Sequence, residues 1–346
     1  MVQPRTQAQA AVAEYNKEAP AKALVIIKNS EVPQPGPGEV LVHIYIRPVN
    51  PSDIFCLQGI YGGFKPPKLP AVPGLEGVGI IEQLGEGVTD WQEGERVTAV
   101  PWPSEHGQGT WQEYVCVKAE YLVRVPKEVS DEEAAQFLVN PVTAYGFLED
   151  FKVPRNEYLL SNAANSVLGR ELIQMAQRRG TKLINVVRRR EVVDELKKLG
   201  AQEVICTADE DLVARVKEIT GGRGAWCAAN PVGGPSSKPI HQCVRDGGTV
   251  YIFSMFGDEV VVPMYDLHFR SLHVRGFWVS EWLSTLTRKD RQAALQAVMD
   301  MIQRREVTPP PPRKLFKLDE APAAVEEAQR KSAGGQGKVM LISYLT

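Results

Sequence analysis

No apolar run in the 346-residue chain approaches the roughly 20 residues that a membrane-spanning helix needs, so no membrane partner is expected. Neither sign of charge is in excess. Forty basic side chains face 42 acidic ones, and the net charge of −2 offers no bulk attraction for nucleic acid. Cysteine is scarce and scattered. Cys56, Cys116, Cys206, Cys227 and Cys243 form no Cys-x-x-Cys and do not pair with histidine, which argues against a disulfide framework and against a zinc site. His43, His106, His241, His268 and His273 form no constellation and read as structural. No internal repeat is visible. Met1–Ala13 lacks the apolar core of a secretion signal. Its single basic residue, Arg5, and the absence of acid before Glu14 leave a faint mitochondrial leader or simply a short start. The expected location is mitochondrial in a eukaryote and cytoplasmic otherwise.

What is present is ordinary globular material, 43% hydrophobic and 24% charged, in a length that suits two domains. Residues 22–28 and 39–46 alternate as strands do, and Pro33, Pro35 and Pro37 punctuate the connection. Asn50 or Ser52 can cap a helical turn, and Gln58-Gly59-Ile60-Tyr61-Gly62 is a glycine-flanked loop. Further short strands follow to Val117, the pattern of a small barrel-like β domain. Ser130 to Glu133 is a capping box. From Tyr158 strand and helix alternate. Six strands are predicted, at 158–162, 182–187, 203–206, 225–229, 248–253 and 272–277, the number a doubly wound nucleotide domain requires. Residues 289–304 and 319–330 read as helices, Pro309–Pro312 as a stiff linker, and Val339–Tyr344 as a last strand. The fold class is therefore α/β. A β-rich domain over 1–138 and 289–346 accompanies a six-stranded doubly wound (Rossmann) domain over 139–288.

The chain's organising stretch is Tyr158–Arg190. A strand, a turn of small residues, a helix ended by Gly180 and a second strand make the βαβ unit of a dinucleotide site. Small residues let backbone N–H groups approach a pyrophosphate, and the helix N-terminus adds partial positive charge. The turn is poor in glycine. Only Gly169 is clear, and Asn165, Ser166 and Val167 occupy the turn; asparagine tolerates a left-handed backbone. A strand end that serves NAD carries an acid for the ribose 2′-hydroxyl. Here Arg188, Arg189 and Arg190 follow the strand, and guanidinium groups suit a 2′-phosphate. The expected dinucleotide is NADPH. The plain alternative is a solvated helix start, although cations there oppose the helix dipole.

Several motifs go beyond the βαβ unit. Val49-Asn50-Pro51-Ser52-Asp53, Gln58-Gly59-Ile60-Tyr61-Gly62, Asn140-Pro141-Val142-Thr143-Ala144-Tyr145, Asn162-Ala163-Ala164-Asn165-Ser166 and Arg275-Gly276-Phe277-Trp278 resemble those of the mitochondrial-type trans-2-enoyl-thioester reductases. These belong to the medium-chain dehydrogenase/reductase superfamily, which has a GroES-like β-rich catalytic domain. The resemblance runs from about residue 40 to the C-terminus. It implies NADPH-dependent reduction of an enoyl-CoA or enoyl-carrier-protein substrate, without zinc, in fatty acid synthesis, by a homodimer. It implies that Tyr61 is the proton donor and Asn140 a nicotinamide-side contact. Asn165, Ser166, Val167 and Leu168 would form the pyrophosphate loop, and Arg188, Arg189 and Arg190 the 2′-phosphate clamp. Phe253, Ser254, Met255 and Phe256 would line the cofactor, as would Phe277, Trp278 and Val279, with Lys338 a basic contact near the end. Val167 stands where the family usually has glycine, and Arg189 where it often has aspartate.

The implied chemistry asks little of the protein. An unperturbed phenol, with a pKa of about 10, is protonated at neutral pH and can supply a proton to Cα. Without the resemblance, Tyr61 would read as a surface loop residue, and Trp278 and Trp282 as core. Two other readings compete. One is a zinc-free quinone or enone reductase of the same superfamily. The other is a non-catalytic relative that kept the shell and lost the cofactor.

Overall fold

A computed structural model describes residues 5–330 and 337–343. The chain forms two compact units. One comprises residues 1–139, 295–303 and 308–346, the other residues 140–294 and 304–307.

The first unit is built on the strand Glu39–Pro48. It is buried along nearly its whole length because neighbours cover both faces, so it reads Val-Leu-Val-His-Ile-Tyr-Ile rather than as a half-polar strand. It pairs antiparallel with Val78–Leu84, with Tyr114–Lys118 and, through Met340↔Pro48, with Val339–Ile342. Arg96–Ala99, Leu122–Arg124 and Lys314–Lys317 complete the sheet. The last strand is thus Val339–Ile342, and Tyr344 lies outside the described residues. Ser130 caps its short helix as expected, accepting from the Glu133 N–H at 3.3 Å, while the Ser130 N–H donates to the Glu133 carboxylate at 3.0 Å.

One strand was not legible in the sequence. Thr6–Val12 pairs antiparallel with Leu24–Glu31. Its run of Gln and Ala is weakly apolar, yet Ala10, Ala11 and Val12 are buried in the core with Leu57, Trp111 and Val325. This segment is part of the fold.

The second unit is a six-stranded parallel sheet. In chain order its strands are Tyr158–Asn162, Lys182–Val187, Glu203–Cys206, Ala225–Gly234, Val244–Val260 and His273–Gly276. In space they run third, second, first, fourth, fifth, sixth, which is the doubly wound dinucleotide order. The fifth strand is far longer than the predicted 248–253, and the helix before it is only Lys238–Cys243. The extra length has a local cause. The fourth strand also runs on, so that Val232↔Phe256 and Gly234↔Val260 pair beyond the shared core. A Cβ on Gly233 would lie 2.5 Å from the Glu259 carbonyl oxygen, an approach open only to glycine.

Candidate active site

The turn after the first parallel strand is held by side chains. Asn162 Oδ1 accepts from the Ala163 N–H at 2.9 Å, and Asn162 Nδ2 donates to Asn230 Oδ1 at 2.8 Å. Ala163 carries the left-handed backbone, at φ 56°, where the sequence had offered Asn165. The neighbouring hydrogen bonds enforce it, since the Ser166 N–H also donates to the Ala163 carbonyl at 2.9 Å. Asn165 instead uses its Oδ1 to accept twice from Arg170, at 2.7 and 3.1 Å. Ser166 is the N-cap of helix Val167–Arg179, its Oγ accepting from the Gly169 N–H at 3.1 Å. Gly169 is irreplaceable here, because an added Cβ would lie 2.5 Å from the Ala164 carbonyl oxygen. That is the role of the last fingerprint glycine, close helix–strand packing. Val167 and Leu168 are part-exposed in the first helical turn. Tight turn, capped N-terminus and close packing fit a pyrophosphate.

Arg188 and Arg190 are exposed beyond the second strand, and Arg189 is part-exposed. Arg190 donates to Asp209 at 2.7 Å, and Arg189 lies 3.4 Å from Glu191. Both pairs are surface pairs that water screens. Phe253 and Ser254 are part-buried, Met255 and Phe256 exposed. Phe277 is buried edge-on against Phe147 and Phe151, and an added Cβ on Gly146 would meet its ring at 2.9 Å. Trp278, 42% exposed, is the N-cap of helix Val279–Thr285. Trp282 is buried, as a core residue would be. Asn140 is buried in a single π-helical turn, Leu138–Val142, a rare conformation that concentrates at functional sites.

In the other unit Tyr61 lies just past the helix Pro51–Gln58. Gly59 ends that helix at φ 72°, and a Cβ there would strike the Tyr15 ring. The Tyr61 N–H donates to the Phe55 carbonyl at 3.2 Å, and its ring is half-buried against the core. The same unit holds a buried polar cluster that sequence reasoning missed. Glu76 is wholly buried. Its Oε1 accepts from Lys338 Nζ at 2.8 Å and from Asn50 Nδ2 at 3.0 Å, and its Oε2 accepts from the Val139 N–H at 2.7 Å. Lys338, expected as a cofactor contact, is only 7% exposed and gives one ammonium donor to Glu76. Asp53, also fully buried, accepts from the Asn50 N–H at 2.7 Å and the Leu75 N–H at 3.1 Å. Burial pushes its pKa up to about 7; its hydrogen bonds to Asn50 oppose the shift, and the nearby Glu76 charge reinforces it. The one available signal was a lone acid in the apolar, glycine-rich run Pro73–Gly79. Among the described residues, no three of His, Cys, Asp and Glu gather into a metal-ligand set.

Residues 36–127 match the family model described as the alcohol dehydrogenase GroES-like domain, and residues 168–302 the one described as zinc-binding dehydrogenase. Together they define a pyridine-nucleotide oxidoreductase of the medium-chain type. The chain is 33% identical to the mitochondrial enoyl-[acyl-carrier-protein] reductase of Xenopus tropicalis, over 91% of each chain. It is 36% identical to the human enzyme of that name, over 84% of this chain and 78% of that one. The quinone oxidoreductase of Escherichia coli, solved with NADPH, superposes with a TM-score of 0.84 over 97% of this chain and all of that one, at 24% identity. That likeness speaks to the fold. The chain belongs to the mitochondrial-type enoyl reductase family of the medium-chain dehydrogenase/reductase superfamily. No described helix is long and apolar enough to cross a membrane.

The Asp53 environment predicts a pH effect on stability. Its folded pKa, near 7, lies above the unfolded value of about 3.9. The native state therefore binds the proton more tightly, so the stabilisation is complete below about pH 4 and is lost as pH rises through about 7. The buried His241 and His43, whose pKa values burial lowers, act in the opposite direction below about pH 6.5. The informative quantity is thus the difference between parent and variant. Asp53→Asn, less stable overall, should lose less melting temperature than the parent between pH 5 and 8. Parallel profiles would contradict the buried-acid assignment.

Proposed function

We propose that this protein is an NADPH-dependent 2-enoyl-thioester reductase acting on acyl-CoA or acyl-carrier-protein substrates in fatty acid synthesis. The observation that carries the reading is Tyr61, half-buried in a glycine-bounded turn at the end of helix Pro51–Gln58, within a chain a third identical to enzymes named enoyl reductases. The bound dinucleotide would supply a hydride to Cβ of the enoyl group. Tyr61 then delivers its proton to Cα of the resulting enolate and recovers one from solvent. Its hydroxyl also offers the developing enolate oxygen a hydrogen bond. The Ala163–Ser166 turn and the helix start at Val167 would hold the pyrophosphate, and Arg188 to Arg190 the 2′-phosphate. Asn140, Phe253–Phe256 and Phe277–Val279 would line the nicotinamide side. Lys338 would reach the cofactor through donors beyond the one given to Glu76. The relatives' names place such enzymes in mitochondria, the location proposed for a eukaryotic source. A zinc-free quinone or enone reductase is the second reading, favoured by the shared fold with the bacterial quinone oxidoreductase.

A homodimer is also proposed. Met264, Tyr265 and Phe269 are 85%, 64% and 71% exposed, and the adjoining strand His273–Gly276 is the last of its sheet. An uncovered edge beside an apolar patch suits a second copy related by a two-fold axis. Light scattering coupled to size exclusion should give the dimer mass; a monomer at micromolar concentration would refute it.

The clamp is tested by Arg188→Ala/Arg190→Ala. NADPH binding should weaken by about 1.5–3 kcal/mol per lost charge-assisted contact, and NADH binding should hardly change. Equal affinity of the parent for both dinucleotides would rule the clamp out.

Tyr61→Phe keeps the ring and removes the donor. With NADPH and crotonyl-CoA, kcat should fall about 10²–10⁴-fold while the NADPH dissociation constant stays put. Turnover within about threefold of the parent, far short of a general-acid loss, would dismiss Tyr61 as the proton donor. A parent that reduces quinones and not crotonyl-CoA would select the second reading.

A further inference from the structure

The turn that carries Tyr61 is clasped by a segment more than forty residues earlier in the chain. That segment is itself anchored. At the end of strand Thr6–Val12, Val12 and Ala71 exchange backbone hydrogen bonds at 2.7 and 3.1 Å, and the Ala13 N–H donates to the Ala23 carbonyl at 2.8 Å. Asn16 closes a tight turn, its Oδ1 accepting from the Ala19 N–H at 2.8 Å. The stretch from Tyr15 to Lys17 then meets the last turn of helix Pro51–Gln58 at three points. The Asn16 N–H donates to the Leu57 carbonyl at 3.0 Å, and Gln58 Nε2 donates to the Lys17 carbonyl at 3.0 Å. The Tyr15 side chain covers Gly59, where an added Cβ would lie 2.7 Å from the ring Cγ.

The helix end does not need this cover. Gly59 already closes it in the left-handed conformation, with its N–H bonded back to the Cys56 carbonyl at 3.1 Å. Nor does the core need it, since Tyr15 is 45% exposed and stands outside the apolar cluster of this unit. What depends on that last helical turn is Tyr61. The Ile60 and Tyr61 N–H groups both donate to the Phe55 carbonyl, at 3.0 and 3.2 Å. Tyr61 therefore takes its backbone position from the turn that Tyr15, Asn16 and Lys17 hold.

We infer that Tyr15 is a positioning residue for Tyr61. Its ring, together with the two hydrogen bonds beside it, stops the turn from Gln58 to Gly62 from shifting, and so keeps the Tyr61 phenol where Cα of the enolate takes its proton. The inference rests on the reductase reading. Proton delivery depends on donor placement, and a displacement of about 1 Å can cost about 100-fold. In this role only the Tyr15 ring acts; its hydroxyl has no part.

Tyr15→Ala removes the ring and Tyr15→Phe keeps it. With NADPH and crotonyl-CoA saturating, Tyr15→Ala should lower kcat about 10- to 100-fold and leave the NADPH dissociation constant unchanged. Tyr15→Phe should stay within about twofold of the parent. The deciding measurement repeats Tyr15→Ala in a Tyr61→Phe background. With the phenolic hydroxyl gone nothing is left to position, so kcat should fall by no more than about a further twofold. A double variant that loses the product of the two single losses would mean that Tyr15 acts independently of Tyr61, and would overturn the inference. Tyr15→Ala at the parental kcat would overturn it too. Should Tyr15→Ala fail to fold, Gln58→Ala cuts the exposed hydrogen bond to Lys17 and goes through the same cycle. It should lower kcat about threefold or more in the parent, the scale of one hydrogen bond, and not at all beside Tyr61→Phe. No loss, or a fully additive one, counts against the inference in the same way. Failure of the reductase reading is distinct: the parent would not reduce crotonyl-CoA, or Tyr61→Phe alone would turn over at the parental rate.

Discussion

A carboxylate cut off from water must be given donors, and Glu76 draws them from three separate segments. Lys338 comes from just before the last strand, Asn50 from the start of a helix, and the Val139 N–H from the point where the chain leaves the β-rich unit. Removing any one partner leaves a buried group unpaired, which costs far more than the intact pair contributes. As a source of net stability such a cluster is poor, since apolar residues of similar volume would serve as well. What it supplies is geometry. It fixes the Asn50 amide and the backbone ahead of Asn140 at the same time, a use of buried charge for specificity in place of stability.

The dinucleotide turn shows a related economy. A left-handed residue other than glycine or asparagine is disfavoured by roughly 1–2 kcal/mol. Ala163 adopts that conformation because Asn162 and Ser166 bond to the backbone on either side of it. The turn thus needs only one glycine where packing is closest, Gly169 against Ala164. The helix start keeps a side-chain cap on the Gly169 N–H. A glycine-poor sequence can therefore build the turn, provided that side chains do locally what glycine does by lacking one.

Most of the fold was legible because its signals are local. Six apolar runs alternating with helical periodicity announce a doubly wound sheet, and the observed strand order belongs to that class. The misses have physical causes. Thr6–Val12 is weakly apolar, and only the cover of a distant core makes it a strand. The fifth parallel strand reaches Val260 because Gly233 and Gly257 let the two strands pass closely, which no propensity encodes. The Glu76 cluster was invisible for a stronger reason. Its partners lie 26, 63 and 262 residues away in sequence, so no spacing rule reaches them. Lys338 was legible as a basic residue but not as Glu76's partner. Asn50 was legible as a cap but not as a donor to Glu76.

The fold does not choose between an enoyl thioester and a quinone, since both chemistries live on it. The proton does. Reduction of a quinone ends with protons on oxygen, which exchange freely with water. Reduction of an enoyl thioester ends with a proton on carbon, where transfer is slow and benefits from a positioned acid. A site for the second task therefore gains from a donor held in place, and a site for the first does not. Tyr61 has the features of a held donor: its backbone N–H is tied to Phe55, its ring is half-buried against the core, and Gly59 turns the chain just ahead of it. We take that restraint as support for the proton-donor role proposed for Tyr61.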